Sequence, residues 1–270
     1  MDKLTRRLSA TFGRYAGNYD SSAEIQKKSS SELFRILARR LPAGSRPGKI
    51  LEIGCGTGFL SVRLLKAFKP GLLVLNDLSP EMIGLCAKKI PASRSVRYLK
   101  GNFMTTAIKG TFDLCGSAMS LQWLENIRAG FRKIRGLLRP GGVLAFSMPV
   151  EGTFQELEKS IRLSLGPKTG TGPVPILEFG SPKEIVSSLN RLGFTGIRTR
   201  LAITRRSYRN PAEFLRELRD AGLSFPSEKP LPVGVMKKSL RIYSEKFGSK
   251  SGAVPATWRI MYAVCRRRDE

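Results

Sequence analysis

The chain has 270 residues, 41% hydrophobic and 25% charged, enough for one large core or one core with a small cap. Its 47 Lys and Arg against 21 Asp and Glu give a formal net charge of +26, and it contains no histidine. No apolar run approaches the ~18 residues that cross a bilayer. A zinc site would need an all-thiolate cluster, which the spacing of Cys55, Cys86, Cys115 and Cys265 does not offer.

In chain order, Arg6, Arg7 and Arg14 among serines and threonines faintly suggest a transit peptide, a reading set aside because the same stretch carries a motif. Ser21 or Ser22 is placed to cap a helix over 23–40, with Glu24 in its first turn and Leu33, Phe34, Ile36, Leu37 and Leu41 as its apolar face. Residues 42–48 form a breaker-rich loop. Ile50, Leu51 and Ile53 then make a buried strand that ends in Gly54, Gly56 and Gly58, and apolar residues recur at helical spacing from Phe59 to Phe68. A second strand, 72–75, ends at Asn76-Asp77, and Ser79-Pro80-Glu81 starts a second helix. Strands follow at 96–99 and 112–117, then a basic helix over 127–138, a break at Arg139-Pro140-Gly141-Gly142 and a fifth strand over 143–148. Further strands are expected at 194–203 and 258–266, with helices at 211–222 and 235–247 between them. Strands alternating with helices at this pitch predict an α/β fold with one doubly wound, mostly parallel sheet.

The strand, glycine turn and helix at 50–68 open a nucleotide-binding βαβ unit. A dinucleotide fingerprint would carry glycine where this chain has Phe59. Here the pattern is E-x-G-x-G-x-G, and the carboxylate of Glu52 suits a cationic ligand better than a pyrophosphate. S-adenosylmethionine fits, with its amino acid head, sulfonium and ribose, and Asp77 sits where it can accept hydrogen bonds from ribose hydroxyls. This spacing resembles motif I of the class I methyltransferases, which implies a seven-stranded sheet whose last strand is antiparallel.

Other stretches narrow the resemblance. They are Phe12-Gly13-Arg14-Tyr15-Ala16 with Tyr19-Asp20 and Gln26, Asp77-Leu78-Ser79-Pro80-Glu81-Met82, Ser120-Leu121-Gln122-Trp123, Leu138-Arg139-Pro140-Gly141-Gly142, Thr153-Phe154-Gln155-Glu156-Leu157 and Asn210-Pro211 with Phe214-Leu215. Together they resemble the malonyl-acyl-carrier-protein O-methyltransferase (BioC) family of biotin synthesis over most of the chain. The resemblance implies one methyltransferase domain: N-terminal lid helices over 1–41, a Rossmann-like core over 42–204, a helical cap over 205–250 and a final strand over 251–270. By position, Gly54, Cys55, Gly56 and Gly58 shape the cofactor turn, Glu52 orients the amino group, Asp77 and Leu78 hold the ribose, and Ser117 on the fourth strand also binds the cofactor. Met82 packs on adenine or simply in the core. Asn102, where the superfamily has aspartate, meets the adenine amine through its carbonyl, followed by Phe103. Tyr19 and Gln26 close over the methionine end, against bland readings as a half-buried anchor and a solvated helix residue; Trp123 is core or pocket wall.

Methylating a free carboxylate needs no general base, because the group is ionised at neutral pH, so a protein without histidine can act by positioning and desolvation. No Asp/Asn-Pro-Pro-Tyr motif of base N-methylation follows the fourth strand, where Ser117-Ala118-Met119-Ser120 stands. The catalytic residues are expected to be Tyr19 and an arginine that meets the substrate carboxylate, Arg14 first, with Arg198 and Arg200 as rivals. The acidic acyl carrier protein is the expected partner, steered by a basic rim that includes Arg205, Arg206 and Arg209. Free thiols point to a reducing, cytoplasmic compartment. The alternatives are an RNA methyltransferase, suggested by the basic charge, and a methyltransferase-fold assembly factor without turnover. A generally basic proteome would account for the charge without a partner.

Overall fold

The apolar runs become strands β1 (Lys49–Ile53), β2 (Leu72–Asp77), β3 (Val96–Lys100), β4 (Phe112–Ala118) and β5 (Leu138–Pro149), followed by β6 (Phe194–Tyr208) and β7 (Val254–Arg267). The computed structural model describes residues 3–42, 44–166, 179–220 and 231–269. The strands form one sheet in the order β3-β2-β1-β4-β5-β7-β6. Neighbours from β3 to β5 are parallel; β7 is antiparallel to both β5 and β6. This is the class I methyltransferase sheet, with the switch in strand order between β1 and β4 placing the open ends of β1, β2 and β4 together.

Helices α2 (Glu24–Arg40), α3 (Ser61–Phe68) and α4 (Pro80–Lys89) bury Leu33, Leu37, Leu64 and Cys86 in one core layer. On the other face, α5 (Ile127–Leu137) buries Phe131, Ile134 and Leu137 at helical spacing, beside Ile185 and Leu189 of α7 (Pro182–Arg191). Ser79 caps α4 by accepting from the Met82 N–H, with Pro80 at the first helical position. Helices α6 (Gln155–Leu165), α8 (Pro211–Asp220) and α9 (Val233–Phe247) lie over the β7 end, joined by Phe154, Phe214, Trp258 and Tyr243 in edge-to-face contacts.

Several sequence expectations are corrected. Ser21 and Ser22 do not cap α2; they end α1 (Lys3–Ser22), whose turns run nearly into α2. The hinge at Ala23 donates its N–H to Tyr19 O (2.8 Å) and accepts from Lys27 N (2.9 Å), so backbone bonding passes from α1 to α2 through one residue and α2 starts without a side-chain cap. Arg139-Pro140-Gly141-Gly142 does not separate α5 from β5: the strand begins at Leu138, and the irregularity is a register shift against β4 between Phe112 and Leu114. β6 runs to Tyr208, so residue 205 lies inside a strand. Part of the expected 211–222 helix falls outside the described residues. The sequence reading placed no helix between residues 149 and 193, where α6 and α7 lie, although Ser181 and Glu184 form a capping box around Pro182.

Candidate active site

A cavity of about 360 Å³ opens where β1, β2 and β4 end, within the size range of small-molecule sites. It is floored by the glycine turn and roofed by α1, through Thr5, Leu8, Phe12 and Tyr19. The three turn glycines answer different demands. Gly56 (φ +54°) lines the cavity, and a Cβ there would meet nothing within 4 Å; Gly54 (φ +67°) cannot carry one, because it would lie 1.9 Å from Ser120 Oγ. Gly58 (φ +92°) does not line the cavity; it lets α4 approach, its absent Cβ falling 2.9 Å from Cys86 Sγ.

Two buried carboxylates dominate the electrostatics. Asp77, at the end of β2, accepts from Gly56 N (2.7 Å) through Oδ2 and from Ser79 N (2.9 Å) through Oδ1. Burial raises its pKa, and these N–H bonds oppose the rise. Glu52 is 1% exposed, and its Oε2 has no hydrogen-bond partner. Burial holds its pKa well above the ordinary carboxylate range, against a hydrogen bond from Ser61. A buried carboxylate oxygen left unpartnered in a cavity wall is costly, and a cationic donor entering the cavity would satisfy it. Glu52 and Asp77 therefore suit a ligand with an ammonium and hydroxyl groups.

The roof is latched at several points. Thr57 Oγ1 donates to Asp20 Oδ1 (2.5 Å), and Asp20 Oδ2 pairs with Lys89 Nζ (2.5 Å) on α4. Tyr19 stacks on Phe59 at 6.3 Å, and Phe12 meets Trp123 edge-on at 5.6 Å. Burial, then the nearby Asp77 and Asp20, push the Tyr19 phenol up, so it stays protonated and able to donate.

The cavity brings together Tyr19, Gln26, Glu52, Gly54, Cys55, Gly56, Asp77, Leu78, Met82, Asn102 and Phe103 from the sequence reading. Gln26 is buried rather than solvated, and Met82 is both core and cavity wall, as is Trp123. Other residues named from the sequence lie apart from the cavity. Ser117 is outside the cavity, its hydroxyl cross-linking β4 to Ile53 O of β1 at 2.9 Å. Arg14 is exposed on the outer face of α1, Arg198 is exposed on edge strand β6, and Arg200 is paired with Glu32. Among the described residues no lysine or arginine lines the cavity. In the supposed rim, Arg206 binds Glu217 (2.6 Å) and Glu24 (3.3 Å), Arg209 binds Glu213 (2.9 Å), and Arg205 is exposed. The carbonyl of Asn102 accepts from Met104 N (2.8 Å) while its amide donates to Thr5 Oγ1 (3.0 Å), so this side chain ties the roof to the wall. Thr5, Met119, Ser120 and Glu125 also line the cavity and were not singled out. Of these, Met119 and Ser120 lie in stretches quoted from the sequence, after the fourth strand and at Leu-Gln-Trp.

This sheet order, with a glycine turn and an acid on adjacent strand ends beneath an N-terminal helical roof, defines a class. The chain is a class I S-adenosylmethionine-dependent methyltransferase. Residues 50–142 match the family described as "Methyltransferase domain". More particularly, the chain is similar to the malonyl-[acyl-carrier protein] O-methyltransferase of Geobacter sulfurreducens, 28% identical over 97% of this chain and 98% of that one. The protein of the same name from Paenibacillus sp. is 28% identical over 92% and 94%. Among solved structures, YcgJ from Bacillus subtilis superposes with a TM-score of 0.60 at 12% identity, covering 89% of this chain and all of that one. The N-methyltransferase NodS from Bradyrhizobium japonicum, in complex with S-adenosylhomocysteine, gives 0.56 at 14% identity over 97% and 98%. At such identities these two likenesses concern the fold.

Proposed function

We propose that the chain methylates the free carboxylate of a malonyl thioester on acyl carrier protein, using S-adenosylmethionine bound in the cavity beneath α1. The observation that carries this reading is similarity over nearly the whole length to enzymes of that name, including the roof and the cap as well as the common core. A cytoplasmic setting, where carrier-bound thioesters are made, goes with it.

The residues present fit the cofactor. The unpartnered Glu52 oxygen would take its ammonium, Asp77 its ribose hydroxyls, and Met82 and Phe103 would pack on its adenine, with Leu78, Cys55 and Gly56 completing the wall. Bound there, it supplies an electrophilic methyl group on a sulfonium. Tyr19 and Gln26 offer neutral donors that can orient an incoming carboxylate. A guanidinium against that carboxylate would stabilise the ground state and damp its nucleophilicity, whereas neutral donors leave the sulfonium as its chief electrostatic partner. The methyl ester formed is neutral. The acidic carrier protein would be drawn by the +26 surface charge.

The test is methyl transfer from labelled S-adenosylmethionine, with malonyl-acyl carrier protein, malonyl-coenzyme A and bulk RNA offered in parallel. A base-labile ester on the carrier protein supports the reading. Label confined to RNA replaces it with an RNA methyltransferase, and cofactor binding without transfer leaves a methyltransferase fold that no longer turns over.

A further inference from the structure

Lys133 stands outside the cavity yet controls part of its wall. It lies on α5, one position after exposed Arg132, and is itself half-buried. Its ammonium donates to three carbonyls of one loop: Phe103 O at 2.6 Å, Met104 O at 3.1 Å and Thr106 O at 2.8 Å. It also sits over the Phe103 ring, 5.1 Å from the centroid. An ammonium has three donors, so these bonds use all of them.

That loop leaves β3 and supplies Asn102, Phe103, Met104 and Thr105 to the cavity. Its own bonds are short-range turns: Thr105 N and Thr106 N both donate to Asn102 O, at 3.1 and 2.8 Å. Such turns fix local curvature but leave the carbonyls of 103, 104 and 106 converging, and converging carbonyl dipoles repel unless a cation lies among them. Neither Asn102 nor Thr5 supplies that cation. Burial strips water from the ammonium and lowers its pKa, and the three carbonyls stand where that water would be.

We propose that Lys133 is a positioning residue that clamps residues 103–106 into the wall for the nucleobase end of the cofactor, setting cofactor affinity without touching the ligand. The inference rests on the reading that this cavity holds S-adenosylmethionine.

Calorimetric titration tests it with two ligands, S-adenosylhomocysteine and 5′-methylthioadenosine, which lacks the amino acid. Lys133→Met should weaken both by a similar factor, about tenfold or ~1.4 kcal/mol. Lys133→Arg should restore most of the affinity, Lys133→Gln should fall between, and Arg132→Met should match wild type. Amide exchange at 102–106 should quicken in ligand-free Lys133→Met and not in Arg132→Met. Equal affinity across Lys, Gln and Arg at this position overturns the proposal even if the Met variant fails to fold; so does a loss confined to the amino acid-bearing ligand. Asp77→Ala separates the underlying reading: if it binds both ligands as wild type does, the cavity is not the cofactor site, whatever Lys133 does.

Discussion

Replacing Glu52 by Gln removes a charge that the folded chain holds at a cost. The side chain is 1% exposed, one oxygen lacks a partner, and burial keeps its folded pKa well above that of an unfolded glutamate. Between those two pKa values the folded state keeps a proton that the unfolded state has released. Stability therefore falls as pH rises through the unfolded pKa, near 4.3, until the folded pKa is passed, by about 1.4 kcal/mol for each unit between them. Glutamine keeps the shape without the ionisation. Glu52→Gln should accordingly match wild type near pH 4 and be more stable at pH 8, while the slope due to Asp77, also raised by burial, persists in both. Binding should move the other way. Losing a charge-assisted hydrogen bond costs about 1.5–3 kcal/mol, or roughly 10- to 150-fold in S-adenosylmethionine affinity, and 5′-methylthioadenosine, with no ammonium, should bind unchanged. Thermal unfolding from pH 4 to 8 and calorimetry with both ligands measure the two halves. A stability difference independent of pH, or an equal loss of both ligands, would refute the reasoning.

Three further outcomes follow from the same geometry. Asp20→Ala cuts the link from α1 to buried Thr57 and to partly exposed Lys89, and should cost about 1 kcal/mol of roof closure. It should speed S-adenosylhomocysteine dissociation roughly fivefold in stopped flow, and an unchanged rate would place the latch elsewhere. Gly58→Ala, at φ +92° with Cβ 2.9 Å from Cys86 Sγ, should lose about 2–4 kcal/mol in urea unfolding, against about 1–2 kcal/mol for Gly56→Ala, whose Cβ meets open space. The reverse order would contradict the packing role of Gly58. Arg14→Ala should leave methyl transfer within twofold of wild type, because the side chain is exposed and outside the cavity; a tenfold loss in initial rate would return it to the site.

The four inner strands of the parallel half were legible because each contains a short apolar run, a local pattern that burial on both faces imposes, and edge strand β3, with Arg97 and Lys100 exposed, was legible from its spacing after α4. The glycine turn with Glu52 and Asp77 was legible for a similar reason: tight turns and strand-end acids are spaced by the chain itself. Helix α7 carries a legible capping box, whereas β6 exceeds its expected limits because nine of its 15 residues are exposed and break the apolar pattern. Charge misled most. Among 47 Lys and Arg, nothing local distinguishes an arginine beside a ligand from one in water, and Arg14, Arg198 and Arg200 all lie outside the cavity. The amide of Asn102 could be named, but its bond to Thr5, 97 residues away, could not. Nor could the three carbonyls that Lys133 gathers about 30 positions back along the chain. Sequence by itself determined the parallel half of the sheet and the residues at its strand ends, since both follow from periodicity and spacing. Tertiary structure alone decided which polar groups face the cavity and which hold its walls, because those roles depend on burial and on partners that no local pattern brings together.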